Sequence, residues 1–355
     1  MRALPLARTL GAALLLPLAA PLALAQGSSA PPRGGAAVDA LVNEVNVRRE
    51  LSALADDSMQ GRRTGTAGAM RAARWIAARM KEIGLEPAGD SGYFQRVPVG
   101  ELPAAPNGSS ETRLELLDGS RPDSGARRLP AVNVVGIVRG TDPVLRDSVV
   151  LVDAHYDHLG IGVPVRGDSI YNGADDDASG TVAVLEIARA LKNGVSPRRT
   201  VVFLATTGEE VGLLGTRWYI EHPVRPLARM EANLEIEMIG RPDTAAGGAG
   251  RAWLTGFDRS TMGAMFRDAG LPIVPDPRPA QQFYRRSDNI AFAMRGIPAH
   301  TLSSFDLHDD YHQPSDETSR VDFDHVARVI DVAARAVRLL ADGAAPQWSG
   351  SREGR

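Results

Sequence analysis

Cysteine is absent from all 355 residues. That one absence removes a disulfide framework, thiolate metal ligands, a cysteine nucleophile and a lipid-modified N-terminal cysteine. Any metal must then be held by His, Asp and Glu. Lysine is nearly missing as well: Lys81 and Lys192 are the only two, and scattered arginines carry the remaining positive charge, which reads as codon bias. Neither sign of charge dominates, since 40 Lys+Arg face 43 Asp+Glu for a formal net charge of −3. Such a balance argues against nucleic-acid binding. Aromatic residues are sparse at 5%, and no apolar run asks for an obligate partner, so a monomer is the default. The longest hydrophobic run, Leu10 to Leu24, is broken by Pro17 and Pro21. It is shorter than the roughly 20 apolar residues of a membrane-spanning helix, no later segment qualifies, and no membrane anchor is expected.

What that run does fit is a secretory signal over residues 1–25. Arg2 and Arg8 precede it, and Ala23-Leu24-Ala25 offers small residues for cleavage before Gln26. The protein is thus expected to be exported, to the periplasm or the medium, and loss of the two arginines moves the charge from −3 to −5. Residues 26–38 are rich in Gly, Pro, Ser and Ala and read as a flexible leader, and 343–355 as a flexible tail. A single domain over 39–342 lies between them, with a turn-rich stretch at 101–130 expected to be irregular.

Inside that domain, helical and strand periods alternate. In residues 67–84, Met70, Ala73, Ile76, Ala77 and Met80 share one helical face and Gly84 supplies a stop. Strands are expected at 131–138, 148–154, 200–205, 232–239 and 299–303, and further helices near 178–192, 212–222, 259–269, 288–295 and 322–341. Runs such as Val149-Val150-Leu151-Val152 and Val201-Val202-Phe203-Leu204 are continuously apolar, as in strands covered on both faces. The fold class is α/β: a mostly parallel central β-sheet flanked by helices.

In such sheets ligands bind beyond the carboxyl ends of the strands. Five polar groups fall there: Asp153 to His158; Asn172 to Gly180; Thr207-Gly208-Glu209-Glu210; Glu235-Ile236-Glu237; and Tyr311 to Asp316. Each alone has an ordinary reading. A histidine is usually a surface or hydrogen-bonded residue, an acidic pair a solvated helix start, and an Asp run a cap or a calcium loop. Glu235 and Glu237 are less ordinary, because a carboxylate in an apolar strand is costly to bury without something positive beside it. Together, in a chain without cysteine, the five supply what a nitrogen and oxygen zinc site requires.

The order of these groups resembles the M28 zinc peptidases, whose members include secreted bacterial aminopeptidases. The shared pattern is His155-x-Asp157, Gly173-x-x-Asp176-x-x-Ser179-Gly180, Glu209-Glu210, an acidic residue before Met238, and Tyr311-His312, preceded by the Gln60 to Thr66 stretch. The resemblance implies the zinc-peptidase (phosphorylase/hydrolase-like) architecture and two Zn2+ ions. Asp176 would bridge them, His155 and Glu237 complete one, and Glu210 and His312 complete the other. It further implies a bridging hydroxide as nucleophile, Glu209 as general base, Asp157 fixing the His155 tautomer, Tyr311 donating to the oxyanion, and a cis Asp176–Asp177 peptide. Substrates would be peptides with a free N-terminus, and Met238, Phe283 and Tyr284, with Tyr311, are expected to line an apolar pocket for the first side chain.

Two departures qualify the pattern. Glu237 stands where many members carry Asp, which leaves Glu235 as a fallback ligand and brings glutaminyl cyclase or carboxypeptidase activity into view as alternatives, with a non-catalytic binding module behind them. Ser287-Asp288-Asn289 stands where Ser-Asp-His is common. Of the other histidines, His158 and His308 are expected near the site without a catalytic role, and His222, His300 and His325 as structural or exposed.

Overall fold

A computed structural model describes residues 42–103, 113–119 and 125–350. The expected signal and leader, 1–38, lie outside the described residues, as do 351–355. The first helix, α1 (Glu44–Leu54), is capped by the Asn43 side chain, which accepts from the Val45 amide. The next, α2 (Ala67–Ile83), is capped by Thr66 and stops at Gly84, which turns left-handed at φ 82°. Strands β1 (Glu86–Pro87), β2 (Phe94–Arg96), β3 (Val99–Leu102), β4 (Arg113–Leu116), β5 (Arg127–Leu129), β6 (Val132–Val138), β7 (Val149–His155), β8 (Gly160–Val165) and β9 (Asp168–Tyr171) follow. Then come α3 (Gly180–Asn193), β10 (Thr200–Thr206), α4 (Leu214–Glu221), β11 (Met230–Ile236), β12 (Ala252–Leu254), α5 (Thr261–Asp268), β13 (Ile273–Pro275), α6 (Asn289–Ala293), β14 (Ala299–Ser303) and α7 (Phe323–Asp342).

The main sheet runs β1-β6-β10-β7-β11-β14-β12-β13, with β2 also on β6. Its centre, β10-β7-β11-β14, is parallel throughout, while β6 and β12 join antiparallel. Alternate residues of the central strands enter different cores. Val150, Val152, Val201 and Phe203 face the cluster that holds α1, α2, α3 and α7. Val149, Leu151, Val202 and Leu204 face the one that holds Tyr219 of α4 and Phe292 of α6. That is why these strands show no polar alternation: at about 1.5 to 3 kcal/mol per buried aliphatic side chain, both faces contribute. All described residues belong to one compact unit, Val38–Arg355, and no helix among them is long and apolar enough to cross a membrane.

Two expectations need correcting. The turn-rich stretch holds the three strands β3, β4 and β5, paired antiparallel in a small second sheet. Their arginines and glutamates lie on a half-exposed face, which hides the strand period. The segment after α7 is not free up to residue 350 either. Gln347 exchanges backbone and hydroxyl hydrogen bonds with Thr261, Ser349 donates to the Arg259 carbonyl, and the Trp348 indole N–H donates to Gly296. One aromatic in a Gly- and Ala-rich tail supplies the anchor that composition averages away.

Candidate metal and catalytic site

The parallel register brings the polar groups level. His155 ends β7 opposite Thr206, which ends β10, and Thr207-Gly208-Glu209-Glu210 continues from there. Glu237 follows the last residue of β11, and the loop after β14 carries Tyr311 and His312. Asp176 lies in the turn before α3, and glycine is obligatory at both of its ends. A Cβ on Gly173, itself at φ 55°, would sit 2.1 Å from the Asp176 carbonyl oxygen, and one on Gly180 would sit 2.1 Å from the Ile236 carbonyl oxygen. The peptide between Asp176 and Asp177 is cis. Side chains clamp the turn: Asp177 accepts from the Gly180 and Met238 amides, Asp175 from the Gly240 amide, and Asp316 from the amides of Asp175 and Asp176.

Held in this way, Asp176 presents one oxygen to each side. Its Oδ1 lies 3.3 Å from His155 Nε2, which is itself 4.0 Å from Glu237 Oε1. Its Oδ2 lies 3.1 Å from His312 Nε2, which is 3.2 Å from Glu210 Oε2. Donor atoms of His155, Asp176 and Glu237 fall within 4.8 Å of one another, and so do those of His158, Asp176 and Glu210. The Nε2 atom of His155 is buried without a well-formed hydrogen bond, an arrangement that is costly unless a cation completes it. A donor set of imidazole and carboxylate with no thiolate fits zinc.

Electrostatics follow from crowding. Burial would raise the Asp176 carboxyl, but His158, His155 and His312 outweigh it and hold the group well below the usual carboxylate range. Glu209 and Glu237 have less compensation, and burial pushes both well above that range. His312 moves the other way: burial disfavours its charge, yet Asp176 and Glu210 carry it up to about 10. Asp176 is thus already ionised, while Glu237 holds a proton that a metal ion would displace.

The second tier differs from expectation in two places. Asp157 was expected to fix the His155 tautomer with its carboxylate, but that group is 3.9 Å away, and the backbone carbonyl of Asp157 takes the Nδ1 contact at 3.1 Å. At an extended strand end the carbonyl is nearer than the side chain. The Asp157 carboxylate, pushed by burial up to about 6, accepts instead from the Thr64 hydroxyl and the Glu209 amide. It positions the glutamate pair. Glu235 is no fallback ligand: its carboxylate accepts from the Ser287 and Thr301 hydroxyls and the Asp288 and Asn289 amides. Ser287-Asp288-Asn289 therefore presents the start of α6 to a buried anion.

Sequence reading placed His158 near the site without a role there and gave Arg62 none. His158, fully buried, places Nδ1 2.8 Å from Glu210 Oε1. Arg62, also fully buried, donates to the carbonyls of Leu54, Tyr156, Asn172 and Gly173. Its place after the His155-x-Asp157 unit is what put His158 near the site, whereas Arg62 lay in a stretch noted only for its pattern. His308 pairs with Asp175 at 2.9 Å. His300 and His325 are buried on hydroxyl partners, and His222 is exposed and stacked on Trp218.

Beside Glu237 and Tyr311 lies a pocket walled by Met238, Trp253, Phe283 and Phe305. Three of the four expected wall residues, Met238, Phe283 and Tyr311, are present. Tyr284 is not: it follows Phe283 in a short 3-10 turn, whose successive side chains point about 120° apart, and it packs on His300 with Arg259 over its ring. The Tyr311 ring stacks on His312, and burial followed by the surrounding carboxylates raises its hydroxyl, which keeps its proton.

The chain is similar to known proteins in sequence and in fold. The sequence profile of peptidase family M28 matches residues 133–337. Leucine aminopeptidase 2 of Trichophyton equinum is 32% identical over 177 residues, 47% of this chain and 32% of that protein. The chain thus spans about a third of the length of such curated relatives. Among solved structures, a zinc aminopeptidase from Bacillus subtilis superposes with a TM-score of 0.60 at 18% identity, over 85% of this chain and 96% of the other. The Porphyromonas gingivalis glutaminyl cyclase does so with 0.57 at 17%, over 84% and 98%. At such identities the superpositions speak for the fold.

Proposed function

The chain belongs to peptidase family M28, and on that premise we propose that it is an exported zinc aminopeptidase that removes N-terminal residues from peptides. The observation that carries this reading is the double-facing Asp176, with one oxygen toward His155 and Glu237 and the other toward Glu210 and His312. These five side chains would hold two Zn2+ ions, whose positive charge lowers the pKa of water and polarises a carbonyl. Glu209 stands beside this set with its amide tethered to Asp157, and its raised affinity for protons suits it to take one from the attacking water and hand it to the leaving amine. Tyr311 keeps its phenolic proton and donates it in a hydrogen bond to the developing oxyanion. Carboxylate oxygens left at the rim receive the substrate's α-ammonium group.

Glutaminyl cyclase activity is the second reading, favoured by the Porphyromonas neighbour of the same fold. The complete five-residue set, with Glu209 beside it, supports hydrolysis over transfer. Leucine p-nitroanilide and its N-acetylated form separate the readings when assayed before and after chelation and zinc return. Zinc-restored cleavage of the free amine alone is the expected result. No cleavage of either by zinc-loaded protein, together with cyclisation of a glutaminyl peptide, would replace hydrolysis by transfer.

A further inference from the structure

The pocket beside Glu237 is apolar in its walls but not in its unspent chemistry. Thr301 donates its hydroxyl proton to Glu235, and Ser303 donates its own to the Met238 carbonyl. Thr255 only accepts, from the Thr301 amide, so its proton has no acceptor among the described residues. Trp253 is 2% exposed, and its indole N–H has no partner among the described residues. At the mouth stands Arg286, exposed, without an ion pair among the described residues, its guanidinium 5.1 Å from the centroid of Phe283. The pocket therefore offers a buried N–H, a hydroxyl proton and a full positive charge, and its one carboxylate, Glu237, is committed to the metal set.

An aliphatic side chain would leave the two buried donors unmatched and Arg286 to water, and a site built to hydrogen-bond its substrate rejects an analogue that lacks the partner far more strongly than an oily pocket rejects a missing methylene. We infer that the preferred N-terminal residue carries a carboxylate, aspartate or glutamate, held by Arg286 at the mouth and by Trp253 and Thr255 within. The inference rests on the aminopeptidase reading, since it assigns the same site its substrate class. A guanidinium is suited to the task, because its planar donors match a carboxylate in two parallel hydrogen bonds.

The test compares kcat/KM for glutamyl, leucyl and lysyl p-nitroanilides with the zinc-loaded protein. The glutamyl substrate is expected to lead the leucyl one by at least about tenfold. Arg286→Ala should erase most of that ratio through KM, Arg286→Glu should turn the preference toward lysyl, and Trp253→Phe should lower the glutamyl-to-leucyl ratio severalfold. Alongside, melting curves with free L-glutamate or L-leucine read binding without turnover. If leucyl leads and Arg286→Ala leaves the ratio unmoved, the specificity inference is overturned and the aminopeptidase reading survives. If no anilide is cleaved, yet glutamate stabilises the protein more than leucine and Arg286→Ala removes the difference, the pocket assignment stands and the aminopeptidase reading falls. Equal stabilisation with no cleavage rejects both.

Discussion

At Asp176 one side chain serves two neighbours, and the residues around it differ in how directly they support that role. Glu209 is the proposed proton carrier, so Glu209→Gln is expected to lower kcat by about 10²- to 10⁴-fold. Metal analysis should show its zinc content intact, which separates loss of the base from loss of the site. His158 acts through another residue. Its hydrogen bond to Glu210 orients that carboxylate, and removal of such a partner typically weakens metal affinity about 10- to 100-fold. His158→Ala should therefore lose zinc to a competing chelator at lower concentration than the parent, with one ion of the expected pair lost first.

The elements that carry these residues were legible to different degrees. The strands β7, β10 and β14 and the helices α2, α3 and α7 announce themselves, because continuous apolar runs and a 3.6-residue stripe leave few alternatives. His155, Glu209, Glu210 and Glu237 could be found from their places after such runs. The small sheet β3-β4-β5 was not legible, since its short strands alternate charge with apolar residues on a partly wet face. Arg62 and Trp253 were hidden for another reason: what they do depends on carbonyls and pocket walls brought together from distant segments. The link between α3 and β11 makes an element-scale prediction. With a Cβ on residue 180 aimed at the Ile236 carbonyl, Gly180→Ala must push helix and strand apart. It should destabilise the fold by about 1 to 3 kcal/mol, the usual toll of overpacking, read as a lower denaturant midpoint.

For the molecule as a whole, acid is expected to act through His300 as well as through the metal site. Burial holds its folded pKa down to about 4, against 6.5 for the free side chain. The unfolded chain thus takes up a proton where the folded one does not, and stability is full above about pH 6.5 and falls as pH drops toward 4. The loss reaches roughly 3 kcal/mol, and His300→Gln should flatten the slope of Tm against pH across that window even if it lowers Tm throughout. Chelation should lower Tm at constant pH, because a ligand that binds only the folded state stabilises it by mass action.

Arg62 carries a consequence for how the chain comes together. Its guanidinium gathers carbonyls 8, 94, 110 and 111 residues away, so the loops that frame the catalytic rim are closed by contacts of long sequence separation, the slowest kind to form. Once made, the four hydrogen bonds of this fully buried guanidinium hold those loops in place. Amide hydrogens at Asp176 and Met238, neighbours of those loops, are then expected to exchange only with global unfolding in the parent, and in Arg62→Leu to exchange sooner than the sheet centre at Val152 and Phe203, as a separate cooperative unit.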